Sequence, residues 1–210
     1  MQGSYTSAFR AELQDLMQWR RDVRRFRTDP VEAAVLDRCL QAFCLAPSVG
    51  LSEPWRILRV ESAAARAAAV ANFEAANANA LAGYAGEKAL TYAGLKLSGM
   101  REAPVHLAVF CDEDSAKGSG LGAATMPQTR AYSVVGAVTL MWLAARAEGL
   151  GLGWVSILDP VRLARDLKTP EGWALIGYLC LGWPQANDTT PELEKLGWES
   201  RASHLIMETR

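Results

Sequence analysis

A chain of 210 residues, 50% hydrophobic and 21% charged, suits one globular domain over 1–210. A chain of this length buries roughly 70% of its unfolded surface, so it needs neither metal nor disulfide to fold. Its 22 Lys and Arg against 23 Asp and Glu leave a net charge of −1, which gives no electrostatic footprint for nucleic acid. The longest apolar run, Val134 to Ala145, falls short of the about 20 residues that span a bilayer. Met-Gln-Gly-Ser-Tyr-Thr at the start lacks the charged-then-apolar layout of a signal peptide, so a soluble, cytoplasmic protein is expected.

Helical composition over 8–21 runs directly into Arg20-Arg21-Asp22-Val23-Arg24-Arg25-Phe26-Arg27. Asp29-Pro30 then reads as an N-cap with proline at the first helical position. The helix it opens carries Leu36, Cys39, Leu40 and Phe43 at helical spacing, and Ala46-Pro47-Ser48-Val49-Gly50 stops it. A half-buried strand is expected over 55–60. An alanine-dense helix over 62–82 and a second over 86–98 have few large side chains to anchor them, which suits a lid or outer layer. Residues 104–111 read as a buried strand and 112–130 as a mobile loop. The clearest helix is 131–148, with Val134, Val138, Met141 and Ala145 on one face and Gly149 at its end. Strands over 153–158 and 174–181 bracket a short helix opened by Asp159-Pro160, and the polar tail from Pro184 has Trp198 as its main anchor. Helices and strands interleave without strict alternation, which predicts an α+β fold.

The scarce residues narrow the chemistry. Two histidines, His106 and His204, cannot build a three-histidine zinc site, and His106 sits in a buried-strand pattern as a structural imidazole. Cys39, Cys44, Cys111 and Cys180 form no Cys-x-x-Cys and read as small buried hydrophobes. Gly149-Leu-Gly-Leu-Gly153 stands between helix and strand, the reverse of the dinucleotide-binding order, and reads as a tight turn. The Gly118-Ser-Gly-Leu-Gly122 stretch has no acidic residue at the ribose-reading position, and there is no Walker A sequence.

Five of the 17 arginines fall between positions 20 and 27. Arg20, Arg21 and Arg24 can converge on one phosphate through forked hydrogen bonds, or form a solvated basic face with Asp22 as an ion-pair partner. Arg201 stands alone behind Trp198, and Ser48 and Ser52 flank Gly50 in a loop, a usual place for groups that meet a polar ligand. Residue chemistry leads to a phosphate-bearing ligand and stops there.

Taken together, Arg20 to Phe26, Ala46-Pro47-Ser48 with Pro54-Trp55, the glycine turn into Trp154-Val155-Ser156, and Arg201 resemble the FMN-dependent nitroreductase family over residues 10–205. Asp22 with Ser156 resembles the branch of that family that consumes reduced FMN and O2 to make 5,6-dimethylbenzimidazole, the lower ligand of vitamin B12. The resemblance implies a mixed, mainly antiparallel sheet flanked by helices, in a homodimer with FMN at the interface. Arg20, Arg24 and Arg201 would hold the FMN phosphate, with Arg21 nearby. Pro47 and Ser48 would meet the flavin from the other subunit, Asn77 would approach the ring, and Val155, Ser156 and Ile157 would line its edge. Residues 86–100 would form a lid and 184–210 a tail.

In that branch FMN is substrate as well as bound flavin. Asp22, held by Arg21 and Arg24, would move protons, and the Ser156 hydroxyl would donate to developing negative charge. The bland readings are an ion pair that orders the arginines for Asp22, and a satisfied strand-end hydroxyl for Ser156. A flavin reductase would supply reduced FMN, and direct binding of NAD(P)H stays open. The competing activity is an NAD(P)H-dependent FMN nitroreductase or flavin reductase, which returns its flavin intact; a flavin carrier without turnover is the third. Glu53, Met126 and Arg130 depart from the residues usual in the family.

Overall fold

The computed structural model describes residues 3–210; Met1 and Gln2, on which the reading of the N-terminus leans, lie outside the described residues. In chain order the elements are α1 (Ser7–Trp19), α2 (Ala33–Gln41), β1 (Trp55–Arg59), α3 (Ala63–Ala82), α4 (Gly86–Gly94), β2 (Val105–Asp112), α5 (Thr129–Ala147), β3 (Gly151–Val155), α6 (Pro160–Asp166), β4 (Trp173–Gly182) and α7 (Glu192–Lys195). The strands form one sheet in the order β1-β2-β4-β3, with every neighbour antiparallel. The α+β expectation holds.

Period-two alternation in β2 and β4 feeds two cores, one on each face. Leu107, Val109 and Cys111 of β2 and Leu179 and Leu181 of β4 pack with Leu36 and Cys39 of α2 and Val134, Val138 and Met141 of α5. Ala108 and Phe110, with Tyr178 and Cys180, face the other way onto Phe26, Ala69 of α3 and Leu163 of α6. A strand covered on both faces has no polar side to show, which is why β2 reads as a near-continuous apolar run.

Several boundaries differ from expectation, each for a tertiary reason. The first helix ends at Trp19, not at 21, because the chain from Arg20 onward turns to follow the sheet. The second begins three residues after Pro30, with Glu32 as N-cap. Asp29 instead accepts from Arg27 at 2.8 Å, and the Pro30 carbonyl accepts from Trp183 Nε1 at 3.2 Å. α4 stops at Gly94, and β3 covers 151–155 where 153–158 was expected, its ladder to β4 ending at Val155. The expected mobile loop is a run of tight turns. A Cβ on Gly118 would lie 2.5 Å from the Gly50 carbonyl oxygen, so the two loops pack backbone to backbone. The tail contains the short α7, and Trp198 does anchor it, 5.5 Å from the Tyr84 ring and 5.9 Å from Tyr92. Cys44 is exposed, unlike the other three cysteines, because it follows the last turn of α2 where the chain leaves the core.

His106 is the structural imidazole expected. Its Nε2 lies 3.1 Å from the Ala103 carbonyl, which can only accept, so Nδ1 accepts from the Tyr178 hydroxyl at 2.8 Å. Burial, reinforced by the Arg66 charge and opposed by the Ala103 carbonyl, lowers its pKa from 6.5 to about 4. The unfolded chain therefore takes up a proton at a pH where the folded chain does not. Stability tied to neutral His106 is complete above pH 6.5 and is lost as pH falls toward 4; at 1.36 kcal/mol per pH unit this is about 3 kcal/mol. Urea unfolding at pH 7 and pH 4 should show that loss in the wild type and a clearly smaller one in His106→Gln. Equal losses would remove His106 as the cause.

Candidate active site

The arginine-rich segment is placed by backbone pairing. Val23 N–H donates to the Leu152 carbonyl at 3.0 Å and Arg27 N–H to the Trp183 carbonyl at 2.8 Å, while the Arg25 carbonyl accepts from Gln185 N–H at 3.0 Å. Residues 22–27 thus cover the open edge of β3 and the end of β4. Glycines allow this approach: a Cβ on Gly151 would lie 2.8 Å from Val23 Cγ2, and one on Gly153 would collide with the Val23 carbonyl. The turn reading fits Gly149, at φ +84°, but Gly151 and Gly153 are there for close packing.

That pairing fixes Asp22. Its Oδ1 accepts from the Trp154 N–H at 2.8 Å and its Oδ2 from Arg24 Nε at 2.8 Å, while 33% of the side chain stays open. Arg24 also donates from Nη1 to the Lys96 carbonyl at 3.2 Å. Arg21 does not hold Asp22, which corrects the expectation: its Nε donates to the Thr189 carbonyl at 2.7 Å and its Nη1 to the Arg20 carbonyl at 2.7 Å. The guanidinium of Arg20 lies 4.7 Å above the Trp142 ring, a cation–π contact. Arg20, Arg21, Asp22, Arg24 and Trp142 line one side of a cavity of about 320 Å³, and the tail from Ala186 to Leu196 lines the other.

The electrostatics of this cavity favour an anion. Burial lowers the basicity of Arg20, the Arg201 charge adds to it, and the Asp22 charge opposes it. Arg21 is lowered by burial, then by Arg201 and Arg20. On the tail side Asp188 pairs with Lys195 and Glu192 with Arg25, while the Glu194 charge partly offsets the repulsion on Arg21. Arg201 forms no ion pair among the described residues.

The other expected site residues lie elsewhere. Ser156 is exposed just past β3, two residues beyond Trp154. Val155 is buried in the core and Ile157 is half-buried. Asn77 of α3 lines a separate cavity of about 230 Å³ with Leu95 to Ser98, and its Oδ1 accepts from the Tyr92 hydroxyl at 2.8 Å. Pro47 is exposed, and Ser48 Oγ accepts from Glu53 N–H at 3.1 Å. Their loop leads into β1, at the opposite edge of the sheet from β3, three inter-strand spacings or roughly 14 Å away. One chain therefore does not bring Pro47 and Ser48 to Asp22. Of the departing residues, Glu53 holds φ +41° and pairs with Lys117, Met126 is exposed, and Arg130 Nε is buried with no hydrogen-bond partner. The backbone groups that orient the site, Trp154 N–H and the Thr189 and Lys96 carbonyls, have no side-chain signature that sequence reasoning could find.

A profile of the Nitroreductase family matches residues 17–183. The chain is 52% identical over 203 residues to a 5,6-dimethylbenzimidazole synthase of Rhodospirillum rubrum, covering 97% of this chain and 96% of that protein. It is 49% identical to one of Rhodobacter capsulatus, over 93% of this chain and 95% of the relative. Among solved structures, oxidised iodotyrosine deiodinase bound to FMN and 3-iodo-L-tyrosine superposes with a TM-score of 0.76 at 23% identity, covering 94% of this chain and 99% of the other. That likeness concerns the fold. No helix of the described residues is long and apolar enough to cross a membrane. Profile and relatives agree over nearly the whole length, and the chain belongs to the nitroreductase family.

Proposed function

We propose that this chain fragments reduced FMN with oxygen to give 5,6-dimethylbenzimidazole, the lower ligand of vitamin B12, and that FMN is its substrate. Two relatives near 50% identity carry the name of that activity. The observation that carries the reading is the Asp22 carboxylate, fixed between Trp154 N–H and Arg24 yet open to an arginine-lined cavity.

The residues fit the phosphate end of FMN. Arg20, Arg21 and Arg201 repel one another, and a phosphate dianion would relieve that repulsion by charge-assisted hydrogen bonds. Arg24 has Nε and Nη1 engaged within the chain, leaving Nη2. Bound reduced flavin supplies the electrons that oxygen takes, so no metal is needed. Asp22 would take or return protons as bonds to the flavin nitrogen and the ribityl carbon change, with its Oδ1 held by Trp154 N–H. Ser156, whose hydroxyl has no partner within the chain among the described residues, is the donor to developing negative charge.

Pro47 and Ser48 reach a flavin at Asp22 only from a second copy, which supports a homodimer with the site at its interface. The lid over 86–100 excludes water, and the tail over 184–210 carries Arg201. Oxygen as co-substrate, a separate flavin reductase as the source of reduced FMN, and a cytoplasmic setting complete the reading; four cysteines without a disulfide support the last.

The test is incubation of the purified protein with reduced FMN in air, followed by chromatography and mass spectrometry. The benzimidazole should accumulate in step with loss of flavin. Intact flavin that instead cycles with NAD(P)H would replace this reading with a flavin reductase or nitroreductase.

A further inference from the structure

Arg24 is built as a bridge. Its side chain is only 14% exposed, and its fork holds two acceptors on different parts of the chain, Asp22 Oδ2 at 2.8 Å and the Lys96 carbonyl at 3.2 Å. Lys96 belongs to the strap of residues 95–99 that follows α4. The strap is pinned at both ends of this contact. Lys96 Nζ donates to Glu102 Oε1 at 2.6 Å, and Gly99 packs so tightly on the Phe26 ring that a Cβ there would collide with it. A Cβ on Gly99 would also lie 3.3 Å from the Arg24 carbonyl oxygen, so strap and arginine segment run against each other.

We infer that Arg24 is a positioning residue through which the seated strap orients the Asp22 carboxylate, and that its main task is not to bind phosphate. This rests on the proton-moving role proposed above for Asp22. A planar guanidinium fixes two acceptors in set directions, whereas a lysine ammonium would hold Asp22 or Lys96 but not both in that geometry. With the strap displaced, Arg24 loses its second anchor, and Asp22 keeps Trp154 N–H but loses the fixed direction of Oδ2. Loosening the strap thereby lowers turnover, while flavin affinity, set mainly by Arg20 and Arg201, changes little.

The test compares Arg24→Lys, Glu102→Gln and Asp22→Asn with the wild type. Three quantities are read: affinity for oxidised FMN by fluorescence quenching, kcat and KM for benzimidazole formation, and amide hydrogen exchange in the flavin-free protein at 95–99 and Trp154. Arg24→Lys should keep FMN affinity within about 3-fold, lower kcat at least 10-fold, and speed exchange at both places. Glu102→Gln, which touches neither Asp22 nor Arg24, should give the same split to a lesser degree by loosening the strap. A 10-fold loss of FMN affinity with kcat retained in Arg24→Lys would make Arg24 a phosphate ligand and overturn the inference. Unchanged exchange in both variants would also overturn it. Full activity in Asp22→Asn would sink the Asp22 role itself, whereas an inactive Asp22→Asn beside a normal Arg24→Lys would sink the bridge alone.

Discussion

Replacing Asp22 with Asn is expected to cut benzimidazole formation by about 100- to 10,000-fold, the range lost with a general acid–base group, while FMN still binds. The substitution is close to isosteric. An amide oxygen at Oδ1 still accepts from Trp154 N–H, so the segment stays on the edge of β3. The other end changes character: an NH2 group faces Arg24 Nε, donor against donor, and neither can carry the proton. The Asp22–Arg24 pair itself contributes little to folding, because a carboxylate that is one third exposed is well screened and such pairs give about 1 kcal/mol or less. Activity should therefore collapse while the melting temperature moves by only a few degrees. If Asp22 served only to order the arginines, the loss would track FMN affinity, and saturating reduced FMN would restore turnover. Product quantified under single-turnover conditions, beside a binding isotherm for each variant, separates the two. A yield within 3-fold of wild type would remove Asp22 from the chemistry.

Local patterns were legible where one element's neighbours lie on both its faces or close in the chain. The β2 strand declares itself through Val105 to Cys111, and α5 through Val134, Val138 and Met141, because burial acts on every residue of those faces. Boundaries failed where a distant partner decides them. Nothing between Trp19 and Pro30 shows that Val23 will bond Leu152, so the helix looked longer and Asp29-Pro30 looked like a cap. The same holds for the site. Clustered arginines and a lone Arg201 stand out against a chain of net charge −1, and they do couple in space. What each arginine holds was not legible, since Arg21 is tied to Thr189 and Arg24 to Lys96 through carbonyl oxygens that every residue has.

Gly153→Ala should have the largest structural effect of any single methyl added near the site. The new carbon falls on the Val23 carbonyl, a backbone group with no rotamer to change. Relief requires the arginine segment to lift from β3, which strains or breaks the Val23 N–H bond to Leu152 and the Asp22 bond to Trp154 N–H together. Overpacking costs about 1–3 kcal/mol, and each of the two hydrogen bonds lost adds about 0.5–1.5 kcal/mol, so destabilisation of about 2–6 kcal/mol is expected. Function should suffer more than stability. Arg20, Arg21, Asp22 and Arg24 share that one extended stretch, so a shift carries them all out of register with Trp142, the tail and the strap. Gly151→Ala offers a graded comparison, because its added methyl meets a Val23 methyl at 2.8 Å, a side-chain atom with some freedom to give. Urea unfolding and FMN binding read together should rank wild type, Gly151→Ala and Gly153→Ala in that order. A Gly153→Ala protein with wild-type stability and FMN affinity would mean that the segment does not depend on β3 for its place, and the account of how Asp22 is held would fall with it.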